Sequence, residues 1–336
     1  LGGDILSHDF VEAALVLRAG YGVWLDTDDG GSWEEVPAHL DGWAARDRRW
    51  CQGSLQHLKV FFSDGFRSAS RIHILGGVAS YLSSLSWLTL LAVATIDALD
   101  RAAAPTVTTA AERMAETALL VGLPLGFLVA PHFLSLAAAL RERAAWGGAL
   151  RVTASAFISL VFALLLAPVS MIIHSVFVTR TLLGQAIGWG AQHRDDTALP
   201  WRAGARTAAL PTAIGVGWTL LVAIAAPTAV LSLSPVLVSL LLAWPFTIVT
   251  SWPKLGLALR RYGLLATPEE LDPPAELCVS PLSIEAAVAA SEWTPPPAPR
   301  MVPLHRLGRP LPIRRPSSIV PIASQSASVP VRRLGA

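Results

Sequence analysis

The sequence predicts a short α/β segment feeding an α-helical membrane bundle. Three observations carry that prediction. Residues 1–70 alternate acids and arginines with short apolar runs broken by Gly-containing turns, the pattern of a water-exposed globular segment. After Arg71, long stretches lack charged side chains altogether. The 336-residue chain as a whole is 53% hydrophobic and 15% charged, with mean hydropathy +0.51, which is too apolar for an average soluble domain.

Composition narrows the chemistry further. The two cysteines, Cys51 and Cys278, are far apart and match no metal-ligand spacing, so both read as free thiols. A formal charge of +2 is close to neutral, and the pI near 8.8 reflects an arginine surplus whose position along the chain reports topology. The chain opens on Leu1-Gly2-Gly3 without the basic and apolar regions of a signal peptide, and reads as a C-terminal fragment.

The first element is a helix expected over about Asp9 to Ala19, from the spacing of Phe10, Ala13, Ala14 and Leu17. Asp9, with Glu12 three residues on, approximates a capping box. Asp9 also reads as a catalytic base, because the positive end of the helix dipole favours its ionised form. The two roles are compatible, and this stretch alone does not choose between them. Tyr21 to Leu25, "YGVWL", reads as a strand of aromatic and β-branched residues, and Asp29-Gly30-Gly31 as a turn. In "ARDRRWCQG", Arg46, Arg49 and Trp50 form an Arg-x-x-Arg-Trp element, which by itself also fits a solvated basic helix face with a tryptophan near the membrane.

The membrane region is expected over residues 71–252. Ile72 to Ile96 is long enough, at about 1.5 Å per residue, to cross a hydrocarbon core of roughly 30 Å. Thr117 to Leu140 is a second span, with His132 inside it. Thr207 to Leu231 and Pro235 to Trp252 are two more, expected as a hairpin around Ser232-Leu233-Ser234. The apolar segment Val152 to Trp189 is interrupted by Pro168, His174 and Arg180. The flanking links, Arg141 to Arg151 and Arg180 to Arg206, are arginine-rich and so expected on the cytoplasmic side. With both flanks inside, residues 152–189 should form a Pro168-broken hairpin or lie in the interface, not cross once. His132 and His174 are expected buried and hydrogen-bonded between helices. Residues 253–336 form a cytoplasmic tail, disordered from about residue 295, where proline and arginine dominate without apolar periodicity.

A helix-opening acid, an Arg-x-x-Arg-Trp element and an adjoining membrane bundle suit one reaction. Transfer of a sugar from a nucleotide donor needs a carboxylate to deprotonate the acceptor, cations to stabilise the departing diphosphate, and an aromatic face to seat a sugar ring. Asp9, Arg46 with Arg49, and Trp50 can supply these in turn.

The chain resembles the processive, membrane-embedded family-2 glycosyltransferases, whose Thr-Glu-Asp and Gln-x-x-Arg-Trp motifs correspond to Ser7-His8-Asp9 and Arg46-Asp47-Arg48-Arg49-Trp50. More narrowly, "GGDILSHDFVEAALVLRAGYGVW", "GSWEEVP", "RDRRWCQG", "GVASYLSSLSW", "LLAPVSMIIHSVFV" and "QHRDD" resemble the glucans biosynthesis glucosyltransferases, which build the backbone of osmoregulated periplasmic glucans. The resemblance implies that residues 1–70 are the C-terminal portion of a cytoplasmic GT-A (Rossmann-like) domain. It further implies UDP-glucose as donor, an inverting transfer, and β-1,2-linked glucan passed across the bacterial inner membrane. A divalent cation, Mg2+, would be ligated by an Asp-x-Asp upstream of this chain, which itself holds no metal site; without that half the fragment is expected to be inactive. Implied partners are the growing glucan, membrane lipid, acyl carrier protein and a periplasmic glucan-processing protein, with no nucleic acid.

By the motif match Asp9 is the general base, Arg49 contacts the donor diphosphate, Trp50 lies beside the acceptor sugar, and Arg46 completes the substrate-binding set. His8 and Arg48 take supporting roles. His8 replaces the family's Glu and Arg46 its Gln, which leaves their individual roles open. Asp26-Thr27-Asp28 follows the base where the family's metal motif precedes it, and so reads as a turn. Two other readings remain: a synthase of a cellulose- or hyaluronan-like polymer, and a non-enzymatic permease with a regulatory soluble cap.

Overall fold

The computed structural model describes residues 5–24, 34, 36–104, 109–185 and 198–274. Asp26-Thr27-Asp28, the Asp29-Gly30-Gly31 turn, the "QHRDD" link and the tail beyond residue 274 lie outside the described residues.

Helix α1 (Asp9–Arg18) buries Val11 and Ala14. Helix α2 (Leu40–Gln56) is capped by His39, whose Nδ1 accepts from the Gly42 amide at 3.1 Å, and it buries a stripe of Leu40, Ala44, Asp47, Cys51 and Leu55. That stripe follows the helical period, so one face of α2 is turned to the bundle. A short α3 (Leu58–Phe61) leads to α4 (Ser68–Ala103), tied at its start by Arg71, which donates to the carbonyls of Phe61 and Ser63. Helix α5 (Ala110–Thr117) runs through a π-helical turn into α6 (Leu123–Arg141). Then come α7 (Ala149–Leu182), α8 (Trp201–Ala225), α9 (Val230–Leu241), α10 (Ala243–Thr250), α11 (Pro253–Arg261) and α12 (Pro268–Leu271).

Among the described residues α4, α6, α7 and α8 are long and apolar enough to cross a membrane. The segment Pro227–Leu241 with Ala243–Thr250, bent by 48°, makes a fifth if counted as one broken span. The bundle core gathers Leu91 of α4, Met171 and Ile172 of α7, Val222 of α8, and Leu233, Leu237 and Leu240 of α9. Trp218 Nε1 donates to Thr95 Oγ1 at 3.0 Å, joining α8 to α4. At Gly215 the backbones of α8 and α9 meet: a Cβ there would stand 2.7 Å from Leu240 Cβ and 2.8 Å from its carbonyl carbon.

Four expectations are corrected. Residues 21–24 form no strand, and no strand occurs among the described residues; aromatic and β-branched side chains favour a strand only where a neighbour pairs its backbone. Residues 149–182 form one continuous helix through Pro168, with no hairpin. Proline removes a single backbone bond, and Ser239 Oγ of α9 donates to the nearby Leu165 carbonyl at 2.6 Å, supplying a side-chain partner beside the break. The turn between α8 and α9 falls at residues 226–229, while Ser232-Leu233-Ser234 lies inside α9, where Ser234 Oγ takes the Leu231 carbonyl (2.7 Å) that Pro235 leaves open. Pro245, unable to bond back to Leu241, accounts for the break between α9 and α10 within the expected span 235–252.

Candidate functional site

The turn that opens α1 is seated on the C-terminal end of α2. Gly53 lies so close that a Cβ would stand 2.7 Å from the Ser7 amide nitrogen. Gln56 Oε1 accepts from the Leu6 amide at 3.2 Å, and His57 Nε2 lies 2.6 Å from the Ser7 carbonyl oxygen. A carbonyl only accepts, so Nε2 carries the proton. His57 is fully buried. Phe10 completes the seat, packing edge-on to His73 at 4.4 Å and against Gly77 of α4.

From this seat Asp9 and His8 face solvent. His8 Nδ1 is 3.1 Å from Asp9 Oδ1 and 3.4 Å from Glu12 Oε2, with the His8 and Asp9 side chains 76% and 77% exposed. The capping role expected of Asp9 is not what forms. The N-cap position belongs to His8, which makes no side-chain cap bond, and Asp9 is the first helical residue. Its carboxylate therefore sits in the field of the helix N-terminus without being consumed by a backbone bond there.

The second element rises from α2. Trp50 is 48% exposed, and the Arg46 guanidinium lies over its ring at 4.8 Å, one helical turn away. Gly53, against Ser7, is nearly one turn further on. The structure thus brings the Ser7–Asp9 turn beside the Arg46–Trp50 element. Arg49 is part-buried on the same helix. Burial, and then the positive charge of Arg180 on α7, hold the Arg48 guanidinium below its ordinary range, so two cations converge at this end of the bundle. Such convergence suits an anion.

Asp47, between these arginines, points the other way. Its Oδ1 accepts from Tyr81 Oη of α4 at 3.1 Å, and its Oδ2 lies 2.6 Å from His174 Nε2 of α7. His174 Nδ1 meets Ser84 Oγ at 3.3 Å, and the imidazole is enclosed by Trp43, Tyr81 and Phe177. His174 is thus part-buried between helices and meets Ser84 of another helix, whereas His132 bonds within its own helix, to the Leu128 carbonyl at 3.1 Å. One turn beyond Asp47, the Cys51 thiol is pushed up to about 12 by burial and then by the Asp47 charge, which leaves it inert. Among the described residues no group of three or more His, Cys, Asp or Glu side chains is arranged to hold a metal ion.

Sequence reasoning missed Gly53, Gln56 and His57 as the seat of the Asp9 turn, and Asp47 as the partner of His174. The available signal was the stripe from Leu40 to Leu55, which puts Asp47 on a buried face.

Curated proteins similar to this chain are named Glucans biosynthesis glucosyltransferase H. The protein from Pseudomonas aeruginosa strain LESB58 is 40% identical over 286 residues, 82% of this chain and 33% of its own length. That from Pseudomonas syringae pv. tomato is 37% identical with the same coverage. That from Pseudomonas syringae pv. syringae is 36% identical over 82% of this chain and 36% of its own length. The chain therefore spans about a third of the length of the curated relatives it matches. No protein-family model matches the chain, and no solved structure matches it at a significant level.

Proposed function

We propose that this chain, homologous over 82% of its length to proteins named Glucans biosynthesis glucosyltransferase H, is the acceptor-side and membrane part of a glucosyltransferase making osmoregulated periplasmic glucan. The observation that carries the reading is the Ser7–Gly53 contact, which seats the Asp9 turn on the helix bearing Arg46, Arg49 and Trp50.

In this reading Trp50 stacks on the terminal sugar of the growing chain. Asp9 takes the proton of its attacking hydroxyl, and the freed oxygen bonds to C1 of the glucose in UDP-glucose while the bond from C1 to the diphosphate oxygen breaks. One displacement inverts the anomeric centre and gives a β linkage, here β-1,2. Arg49, with Arg46 and the Arg48–Arg180 convergence, offsets the charge of the departing UDP. His8, whose Nδ1 lies 3.1 Å from Asp9 Oδ1, orients the carboxylate. A divalent cation would neutralise the diphosphate from a site outside the described residues, none of which is arranged to hold it, and no step here is routed through it. The GT-A domain, the cytoplasmic side for α1 and α2, the inner membrane, and inactivity of this chain by itself belong to the same proposal.

The test is Asp9→Asn in the complete protein. Loss of a general base lowers polymer synthesis by about 10²–10⁴-fold, with UDP-glucose binding retained. Glucan synthesis by the folded variant within about threefold of wild type, set against that range, overturns the assignment of Asp9.

A further inference from the structure

We propose that Asp47 and His174, with Tyr81 and Ser84 as outer partners, are positioning residues that fix the Arg46–Trp50 face of α2 in a single register against α4 and α7. The inference rests on the glucosyltransferase reading for its functional consequence, though not for its geometry.

Among the described residues Asp47 is the one buried carboxylate, and the His174 and Asp47 side chains are only 16% and 11% exposed. A carboxylate in such a place is costly unless paired, and a well-packed hydrophobic residue there would be at least as stabilising. The use of such a pair is therefore specificity of arrangement, as in coiled coils where one buried polar residue sets register.

The apolar contacts of α2 do not by themselves set that register. Leu40 and Ala44 pack with Val169 and Ile173, and Cys51 and Leu55 with Val178. Apolar contacts of this kind are non-directional. The Asp47 carboxylate is directional: its Oδ1 accepts from Tyr81 Oη of α4, and its Oδ2 lies 2.6 Å from His174 Nε2 of α7. A second polar tie, Thr207 Oγ1 to Asp41 Oδ1, holds the N-terminal end of α2 to α8. Rotation of α2 by one residue would swing Trp50 through about 100° and carry Gly53 off the Ser7 turn. The charge buried within the motif thus fixes where the exposed motif residues stand relative to Asp9.

The test is a double-mutant cycle in the complete protein, read as kcat and KM separately. Asp47→Ala and His174→Ala each lower kcat by about tenfold or more, the scale of a misplaced reacting group, with KM for UDP-glucose nearly unchanged. The double variant loses no more than either single one. The exchange Asp47→His with His174→Asp restores most of kcat. Additive losses, or wild-type kcat in either single variant, overturn the proposal. A second readout needs no turnover: spin labels at the exposed Ala45 and Leu183 report the α2–α7 distance by double electron–electron resonance. One narrow distribution in the parent, broadened by Asp47→Ala and narrowed again by the exchange, supports the register lock, and an unchanged distribution overturns it. A preparation in which glucan synthesis fails the Asp9→Asn test while the distances behave as stated would fault the glucosyltransferase reading alone.

Discussion

Gly53 and Ser7 touch backbone to backbone: the space a Cβ would take at Gly53 is within 2.7 Å of the Ser7 nitrogen and 2.8 Å of its Cβ. Any side chain at position 53 must push the turn that carries Asp9 away from α2. On the proposed glucosyltransferase function, Gly53→Val in the complete protein is accordingly expected to lower the rate of glucan synthesis by about the 10²-fold that an ångström of misplacement costs, while membrane insertion stays at wild-type level. Assay of polymer yield at matched amounts of inserted protein checks this, and a fully active Gly53→Val protein would break the link between the two elements.

Cys51 gives a prediction in pH. Its folded thiol is raised from 9.0 to about 12, chiefly by burial, so Cys51 itself holds almost no thiolate at pH 8 in the native state. Alkylation at Cys51 should be negligible in the native state and rapid after denaturation. Because the unfolded thiol ionises first, the stability linked to this group is present below pH 9 and is lost as pH rises through the interval from 9 to about 12. Alkylation rates of a Cys278→Ser protein between pH 7 and 9, followed by mass spectrometry, test the assignment; fast native modification contradicts it.

A third prediction concerns α8 and α9. Gly215→Val places two methyl groups where Leu240 already stands, an overpacking that costs about 1–3 kcal/mol. Thermal unfolding in detergent should shift down accordingly, whereas Gly217→Val, where a Cβ meets nothing within 4 Å, should leave it nearly unchanged.

The same residues show how far the sequence carries. Charge-free runs announce α4, α6 and α8, because a long apolar segment has few places to go other than a membrane helix. The pairing of Ser7-His8-Asp9 with Arg46–Trp50 is legible as two motifs, but their contact is not. It depends on Gly53, Gln56 and His57, whose polar or featureless side chains carry no local pattern. Pro168 invites a chain reversal, yet a single lost backbone bond is tolerated within one continuous 34-residue helix. Asp47 is disguised by its arginine neighbours as part of a solvated charged face; only the spacing of Leu40, Ala44, Cys51 and Leu55 reveals that it points inward. Tyr21, Val23 and Trp24 have strand-forming side chains, but a strand exists only through its partner, and no strand occurs among the described residues.

The central claim is that Trp50 offers its exposed face to the acceptor sugar beside Asp9. Product length and yield from Trp50→Ala and Trp50→Phe proteins, compared at equal levels of membrane-inserted material, measure it most directly. Loss of the stacking surface in Trp50→Ala predicts short glucan or none, and the retained aromatic face in Trp50→Phe predicts partial activity. Glucan of normal length and yield from correctly inserted Trp50→Ala protein would contradict the account.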